Sequence, residues 1–372
     1  MNFDFSDEQK AFGEQVGRML GELPALSEAR TALDGGIEYS TRAWKGLAEL
    51  GFQAIFIPES YGGLGLGPLE ACVAAEQIGR TLVPVPALSS TYICAEAIRL
   101  FGSDAQKGRW LPGLADGSLI GTWAASEPAS MHSPEVSAKL ERGLLTGEKL
   151  PVVDGNIADI AIVLAKLPSG ETGIVLCELA SAGVKRRRVS TVDPSRQVAE
   201  LSFEQVAAEP LPGGSEEAWA LLRDRAAILL AFEQLGGADH ALSMARDYAL
   251  QRKVFGRPLA SYQAVKHNLA NVYAANQVAR AHAYYGAWAM TAPAAPLRLA
   301  AAGARSAAIA AYNLAAQENI QTHGAIGFTW EADCHLFYRR ARFNANVLGP
   351  LFVWKEQISA QLIEGGAEEF PS

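Results

Sequence analysis

The sequence predicts a mostly helical chain with a central antiparallel β domain. Three observations carry that expectation. The first part begins with a capped amphipathic helix, the middle is broken into short β-branched runs, and the last part is alanine-rich and strongly helix-favouring. A chain of 372 residues is too long for one ordinary core, so two or three packed units are expected.

The first zone spans residues 1–119 and reads as an N-terminal helical domain. Ser6 precedes Asp7, Glu8 and Gln9, the pattern of an N-cap with an acidic first turn, and Phe12, Val16 and Leu20 follow at helical spacing. The stretch PESYGGLGLG from Pro58 to Gly67 is a turn-rich break, because glycines tolerate positive φ and close backbone approach. Pro84 and Pro86 mark a second break before a helix around Tyr92 to Phe101.

The second zone, residues 120–212, reads as a small antiparallel sheet. Ile160 to Leu164 and Ile174 to Leu176 are β-branched runs separated by Gly, Pro, Ser and Asp. Residues 213–372 form the third zone, with breaks at Gly256 to Pro258, Pro293 to Pro296 and Gly324 to Gly327. Four or five helices divided in this way predict an antiparallel bundle.

Composition excludes several classes of function. The formal charge is −8, and the only basic run, Lys185 to Arg188, is too short to hold a polyanion, so it reads as a solvated strand or turn and no nucleic-acid partner is expected. Cys72, Cys94, Cys177 and Cys334 are far apart, and no histidine pair has ligand spacing, so no metal site is expected and the thiols read as free in a reducing compartment. The start MNFDFSDEQ lacks the cationic and apolar parts of a secretion signal, and no apolar run is long enough to span a bilayer. A cytoplasmic location is the resulting expectation.

Several motifs, in order, resemble the acyl-CoA dehydrogenase family over nearly the whole chain. GFQAIFIPESYGGLGL is followed by EQIGRTL; Ala125, Ser126, Glu127 and Pro128 resemble the family's glutamate-proline strand end; Arg252, Phe255 and Gly256 stand in an R-x-x-F-G pattern; Gln263 and His267 follow, and QTHGAIGFTWE carries Gln321, Gly324 and Gly327. The resemblance implies an N-terminal helical domain, a β-barrel or sheet domain and a C-terminal four-helix bundle. It also implies FAD as hydride acceptor, an acyl-CoA thioester as substrate, a homo- or hetero-tetramer and an electron-transfer protein as acceptor.

In such an assembly Arg252, Phe255, Gln263, Gln321 and Gly324 would contact a flavin dinucleotide held mainly by a neighbouring subunit. An arginine fork beside a helix break suits a pyrophosphate, and glycines let backbone amides approach it. Taken alone, Arg252 could equally cap a helix C-terminus. Trp123 and Ser126 match the flavin-facing positions of the chain's own sheet domain. The sequence departs from the family at Ala129, Ser130, Met131 and His132, where a glycine-serine pair is usual. It departs again at Pro151, Val152 and Val153, where a tryptophan-x-threonine strand is usual. Proline and valine supply neither a stacking indole nor a hydroxyl.

Proton abstraction α to a thioester requires a carboxylate, preferably desolvated. The place where most family members carry it is Leu348, followed by Gly349, and the alternative place is Ala226. Glu233 is the remaining candidate. It lies in the apolar stripe formed by Ala226, Leu229, Leu230 and Gly237, about 10 Å along the helix from Ala226. It reads either as a displaced base or as a structural acid satisfied by an arginine of an adjacent helix. Glu331 and Asp333 read as caps of the helix that follows them; His267 and His323 either touch phosphates or donate to carbonyls. Four functions are consistent with this pattern: the base-lacking half of a heteromeric dehydrogenase, a self-sufficient homotetramer using Glu233 or another acid, a scaffold that has lost flavin, and a flavin monooxygenase of the same fold.

Overall fold

The computed structural model describes residues 4–128, 136–292 and 295–365. The chain folds into two compact units, each assembled from separated segments: 1–30, 68–83 and 227–372 form the first, and 31–67 with 84–226 the second.

The first unit is helical. Helix α1 (Asp7–Gly21) opens with the expected cap: the Ser6 hydroxyl accepts from the Gln9 amide and the Gln9 side chain accepts from the Ser6 amide, which satisfies two of the orphan donors of the first turn. Helix α2 (Ala25–Leu33) follows, α3 (Thr41–Glu49) belongs to the second unit, and α4 (Pro68–Thr81) is again in the first, where it packs on α1 with Gly13 facing Val73.

In the second unit a fully buried π-helix, Ala87–Ala95, leads into α5 (Glu96–Phe101), where the sequence predicts one ordinary helix. Helix α6 (Asp104–Ala115) carries a second reciprocal cap between Ser103 and Gln106. The strands are β1 (Gly121–Ala124), β2 (Lys139–Glu141), β3 (Leu144–Val153), β4 (Ile160–Lys166), β5 (Thr172–Glu178), β6 (Val184–Arg188) and β7 (Val198–Ser215). Their order is β1-β4-β2-β3-β7-β5; β5 also pairs with β4, which closes the path, and β6 hangs on β7. Pairing is antiparallel as expected, except that β1 and β2 run parallel to β4. Alternate side chains point inward and form a core that includes Leu140, Leu145, Val163, Val175, Leu201, Phe203 and Val206.

The basic run is strand β6. Lys185 and Arg187 pair with Glu204 and Glu200 of β7, and Arg186 donates to the carbonyls of Gly155, Asn156 and Ala158.

Helix α7 (Glu216–Gln251) is 36 residues long; its turns up to Ala226 belong to the second unit and the rest to the first. The bundle continues with α8 (Gln263–Ala289), α9 (Leu297–His323), α10 (Cys334–Asn344) and α11 (Leu351–Gly365). Of the predicted break at Pro293 to Pro296, Pro293 lies outside the described residues. Helices α4 and α7 approach closely enough that a Cβ on Gly79 would fall 1.8 Å from the Glu233 carbonyl oxygen, and one on Gly236 would fall 1.9 Å from that of Glu76. Arg280 of α8 spans this contact, bonding Glu76 of α4 and Asp239 of α7.

Candidate functional site

Five of the sequence-predicted residues gather at one end of the bundle. Helix α7 stops at Gln251, and the Arg252 amide returns to the Tyr248 carbonyl at 2.8 Å. A short hairpin follows, with β8 (Lys253–Val254) paired to β9 (Arg257–Pro258). The turn residues are Phe255 at φ +50 and Gly256 at φ +81. Two successive positive φ angles match the twist of a tight hairpin, which explains the glycine. The phenylalanine is the anomaly: it is a bulky residue in left-handed backbone, and it is 95 % exposed. The Tyr262 hydroxyl donates to the Val254 carbonyl at 2.7 Å, and the Arg257 guanidinium lies 4.0 Å over the Tyr262 ring, so the hairpin is braced from the start of α8. Gln263 is the first residue of α8 and is exposed, as are Arg252 and His267.

Helix α9 brings Gln321 and Gly324 to the same end. It packs antiparallel to α8 and ends at His323, whose ring stacks on Tyr248 of α7 at 4.2 Å. The His323 Nδ1 also meets the Asn319 carbonyl at 2.8 Å. Gly324 closes the helix at φ 63, ψ −138, a conformation open only to glycine, and a Cβ there would meet nothing within 4 Å. Gln321 is exposed. The Tyr248–His323 stack, the Tyr262 brace and the Arg257 contact do not follow from the motif. Their only signal is aromatic residues at the helix ends, four before Arg252 and one before Gln263.

In the second unit Trp123 sits on β1 with 6 % of its surface exposed, and Ser126 is half-buried two residues past the strand. The Ser126 carbonyl accepts from the Leu150 amide at 3.0 Å. Beside it, Glu127 and Lys149 form a buried ion pair with Nζ 2.7 Å from Oε1, and Lys149 also donates to the Ala125 carbonyl at 3.2 Å. Burial alone would raise the Glu127 carboxyl. Lys149, the Ser137 hydroxyl and the Ala138 and Ser137 amides outweigh burial and hold it at about 2. Val152 and Val153 are buried, and Thr122 donates to the Val153 carbonyl. A shallow depression of about 140 Å³ is lined by Ala124, Ala125, Ile162, Leu164, Ile174 and Trp219; small-molecule pockets usually begin at roughly 300 Å³. Ala129, Ser130, Met131 and His132 lie outside the described residues.

The candidate positions for a base are arranged as follows. Ala226 is fully buried. Leu348 is half-buried in left-handed backbone at φ +65, against a cluster that includes Trp354, Ile309 and Ala227. Glu233 is 1 % exposed on α7, and its charge acts on Arg305 of α9, itself fully buried. Burial pulls the Arg305 guanidinium below its ordinary range and Glu233 pushes it back up. Asp333 immediately precedes α10 and pairs with Arg30 at 2.7 Å, and its side chain makes no cap hydrogen bond there; Glu331 offers its carbonyl to the same arginine. Among the described residues no group of three His, Cys, Asp or Glu gathers to hold a metal, and no helix is long and apolar enough to cross a membrane.

The chemistry open to the bundle end is anion recognition by an exposed permanent cation beside a protruding aromatic ring, with no carboxylate among the motif residues.

Residues 6–118 match the acyl-CoA dehydrogenase N-terminal domain and residues 219–363 the acyl-CoA dehydrogenase C-terminal domain. The chain is 34 % identical to acyl-CoA dehydrogenase IpdE2 of Mycobacterium tuberculosis, over 92 % of this chain and 93 % of that protein. Its fold superposes on the ChsE4-ChsE5 complex from Mycobacterium tuberculosis with TM-score 0.90 and 25 % identity, covering 100 % of both chains. It also superposes on butyryl-CoA dehydrogenase from Megasphaera elsdenii with TM-score 0.88 and 24 % identity, over 98 % of this chain and 100 % of that one; this second likeness shows the fold alone. The helical segments on both sides of the barrel answer to the same family, and a relative aligned nearly end to end agrees with them, so the chain belongs to the acyl-CoA dehydrogenase family.

Proposed function

We propose that this chain is the base-lacking subunit of a heteromeric acyl-CoA dehydrogenase, lending its bundle end to an FAD seated in a partner subunit that carries the base. The observation that carries the reading is Phe255, a bulky residue strained into left-handed backbone and exposed to water beside Arg252. Strain of this kind, about 1 to 3 kcal/mol, persists where the surroundings over-determine it and clusters at functional positions.

The fit to a flavin dinucleotide differs between the two halves of the chain. At the bundle end, Arg252 would face the pyrophosphate, the open backbone at Gly324 would let its oxygens approach, and Gln263, Gln321 and Phe255 would frame the remainder. At the strand end the match is poor. Trp123 is committed to the core, Val152 and Val153 offer no donor from their side chains, and the depression by Trp219 is far smaller than a dinucleotide requires. When bound, FAD supplies the acceptor for the hydride leaving the β carbon of the thioester. This chain's part is binding and orientation: Arg252 neutralises phosphate charge and the hairpin braced by Tyr262 fixes the approach. The α proton goes to a carboxylate of the partner, because position 348 is leucine and Glu233 is buried within α7's packing at 1 % exposure. The relatives determined as named pairs, ChsE4-ChsE5 among them, make a two-chain assembly a natural expectation.

Co-purification from the native host with flavin absorbance tests the reading. The expected result is a colourless chain alone and a yellow complex with a second acyl-CoA dehydrogenase chain whose flavin is bleached anaerobically by an acyl-CoA. A yellow chain alone, reduced by acyl-CoA, would establish the self-sufficient homomer. Yellow alone without such reduction would favour a monooxygenase, and a chain colourless in every assembly a scaffold.

A further inference from the structure

The Arg305 guanidinium lies at the centre of a buried tie that joins three elements of the bundle. Its Nη1 donates to the Gln234 Oε1 on α7, and its Nη2 donates to the main-chain carbonyls of Asn344 and Val347, the latter at 3.0 Å. The Asn344 carbonyl ends α10, where the last turn of a helix leaves acceptors without partners, and Val347 lies in the turn that follows. One residue further on, Leu348 adopts φ +65 and Gly349 φ +113, and Trp354 Nε1 closes the turn by donating to the Gly349 carbonyl at 3.0 Å. A leucine in left-handed backbone needs such an enclosure, since it costs roughly 1 to 2 kcal/mol relative to ordinary conformations. Glu233, next to Gln234 on α7, is a buried carboxylate whose field favours the charged guanidinium.

We propose that Arg305 is a positioning residue for the Val347–Gly349 turn, its fork on the Gln234 side chain and the Asn344 and Val347 carbonyls holding residue 348 in its left-handed posture. Any functional meaning of position 348 rests on the reading given under Proposed function, but the mechanical claim does not: the tie acts within this chain whatever it binds.

The test is amide hydrogen exchange on the whole purified chain. Asn346, Val347 and Gly349 donate within the turn, to Phe343, Phe343 and Asn346. In Arg305→Gln their exchange is expected to accelerate at least tenfold beyond any change in the α1 amides, which report global stability. Arg305→Lys keeps the charge but not the fork, and should restore part of the protection; Glu233→Gln, the milder variant if Arg305→Gln does not fold, should loosen the same amides. Turn amides that accelerate only in step with α1, or show no recovery in Arg305→Lys, would overturn the proposal. Neither outcome depends on a partner or a flavin, so failure here and failure of the heteromer reading are separable.

Discussion

Lys149 and Glu127 meet at 2.7 Å inside the second unit, and the same carboxylate accepts from the amides of Ser137 and Ala138 at distances between 2.9 and 3.0 Å. The pair thus fastens the end of β1 to β3 and to the residues leading into β2. It draws on a charge that burial alone would suppress.

This pair predicts an acid-sensitive component of stability. The folded carboxyl is held at about 2, against an ordinary value of 4.5, so the folded chain resists protonation more than the unfolded one. Its contribution, on the order of 3 kcal/mol, is present above about pH 4.5 and lost as pH falls toward 2. Lys149 works in the opposite sense, since burial lowers it. Lys149→Met should therefore cost about 3 to 5 kcal/mol at pH 7 by stranding the carboxylate, and Glu127→Gln with Lys149→Met should recover most of that loss. Urea unfolding at pH 7 and pH 3 checks both; a single Lys149→Met variant within about 1 kcal/mol of the parent would contradict the account.

The α4–α7 crossing predicts intolerance to one methyl group. Gly79→Ala and Gly236→Ala each drive a Cβ into a backbone carbonyl at under 2 Å, so the helices must separate. Overpacking of this kind costs about 1 to 3 kcal/mol or more. Gly108→Ala on α6, where a Cβ meets nothing, is the control and should be neutral or slightly stabilising. Thermal unfolding of the three variants settles the point.

Arg280 predicts a network effect in the same region. Removing it in Arg280→Met leaves the Glu76 and Asp239 carboxylates facing each other in a partly buried site, with an expected loss of about 2 to 4 kcal/mol. The further change Glu76→Gln should return a good part of it, and a double-mutant cycle in urea measures the coupling.

At the bundle end, Arg252→Ala and Phe255→Ala are expected to leave the isolated chain within about 0.5 kcal/mol of its stability, because both side chains are exposed. In the assembled enzyme Arg252→Ala should weaken flavin retention about 10- to 100-fold through loss of a charge-assisted contact. Arg252→Lys should recover only part, since an ammonium lacks the planar fork. Equilibrium dialysis of flavin against the complex reads this directly, and unchanged retention would remove Arg252 from the site.

Much of this organisation is legible in the chain because it is written in short-range terms. Ser6 capping α1, the β-branched runs that become β4 and β5, and the break at Gly256 to Pro258 each depend on residues within a few positions. The apolar stripe around Glu233 correctly implied a buried acid. The arginine whose charge it favours, Arg305, is not nameable from sequence, because the influence acts between residues 72 positions apart through the packing of two helices. Of the π-helix Ala87–Ala95 the sequence shows only the last turn, read as the start of a helix around Tyr92, because every residue in it is buried and no solvent-facing side reveals the period. The parallel alignment of β1 with β4 and the Gly79–Gly236 crossing are likewise properties of topology, which local patterns do not encode.

The barrel's closure limits the free rims of the larger sheet. With β5 joined to both β4 and β7, the strands of that sheet with a single partner strand among the described residues are β1 and β6. The first is backed by the π-helix, where Ser90 accepts the Gly121 amide, and the second carries four charged residues in succession, a sequence that blunts an edge against pairing with another copy.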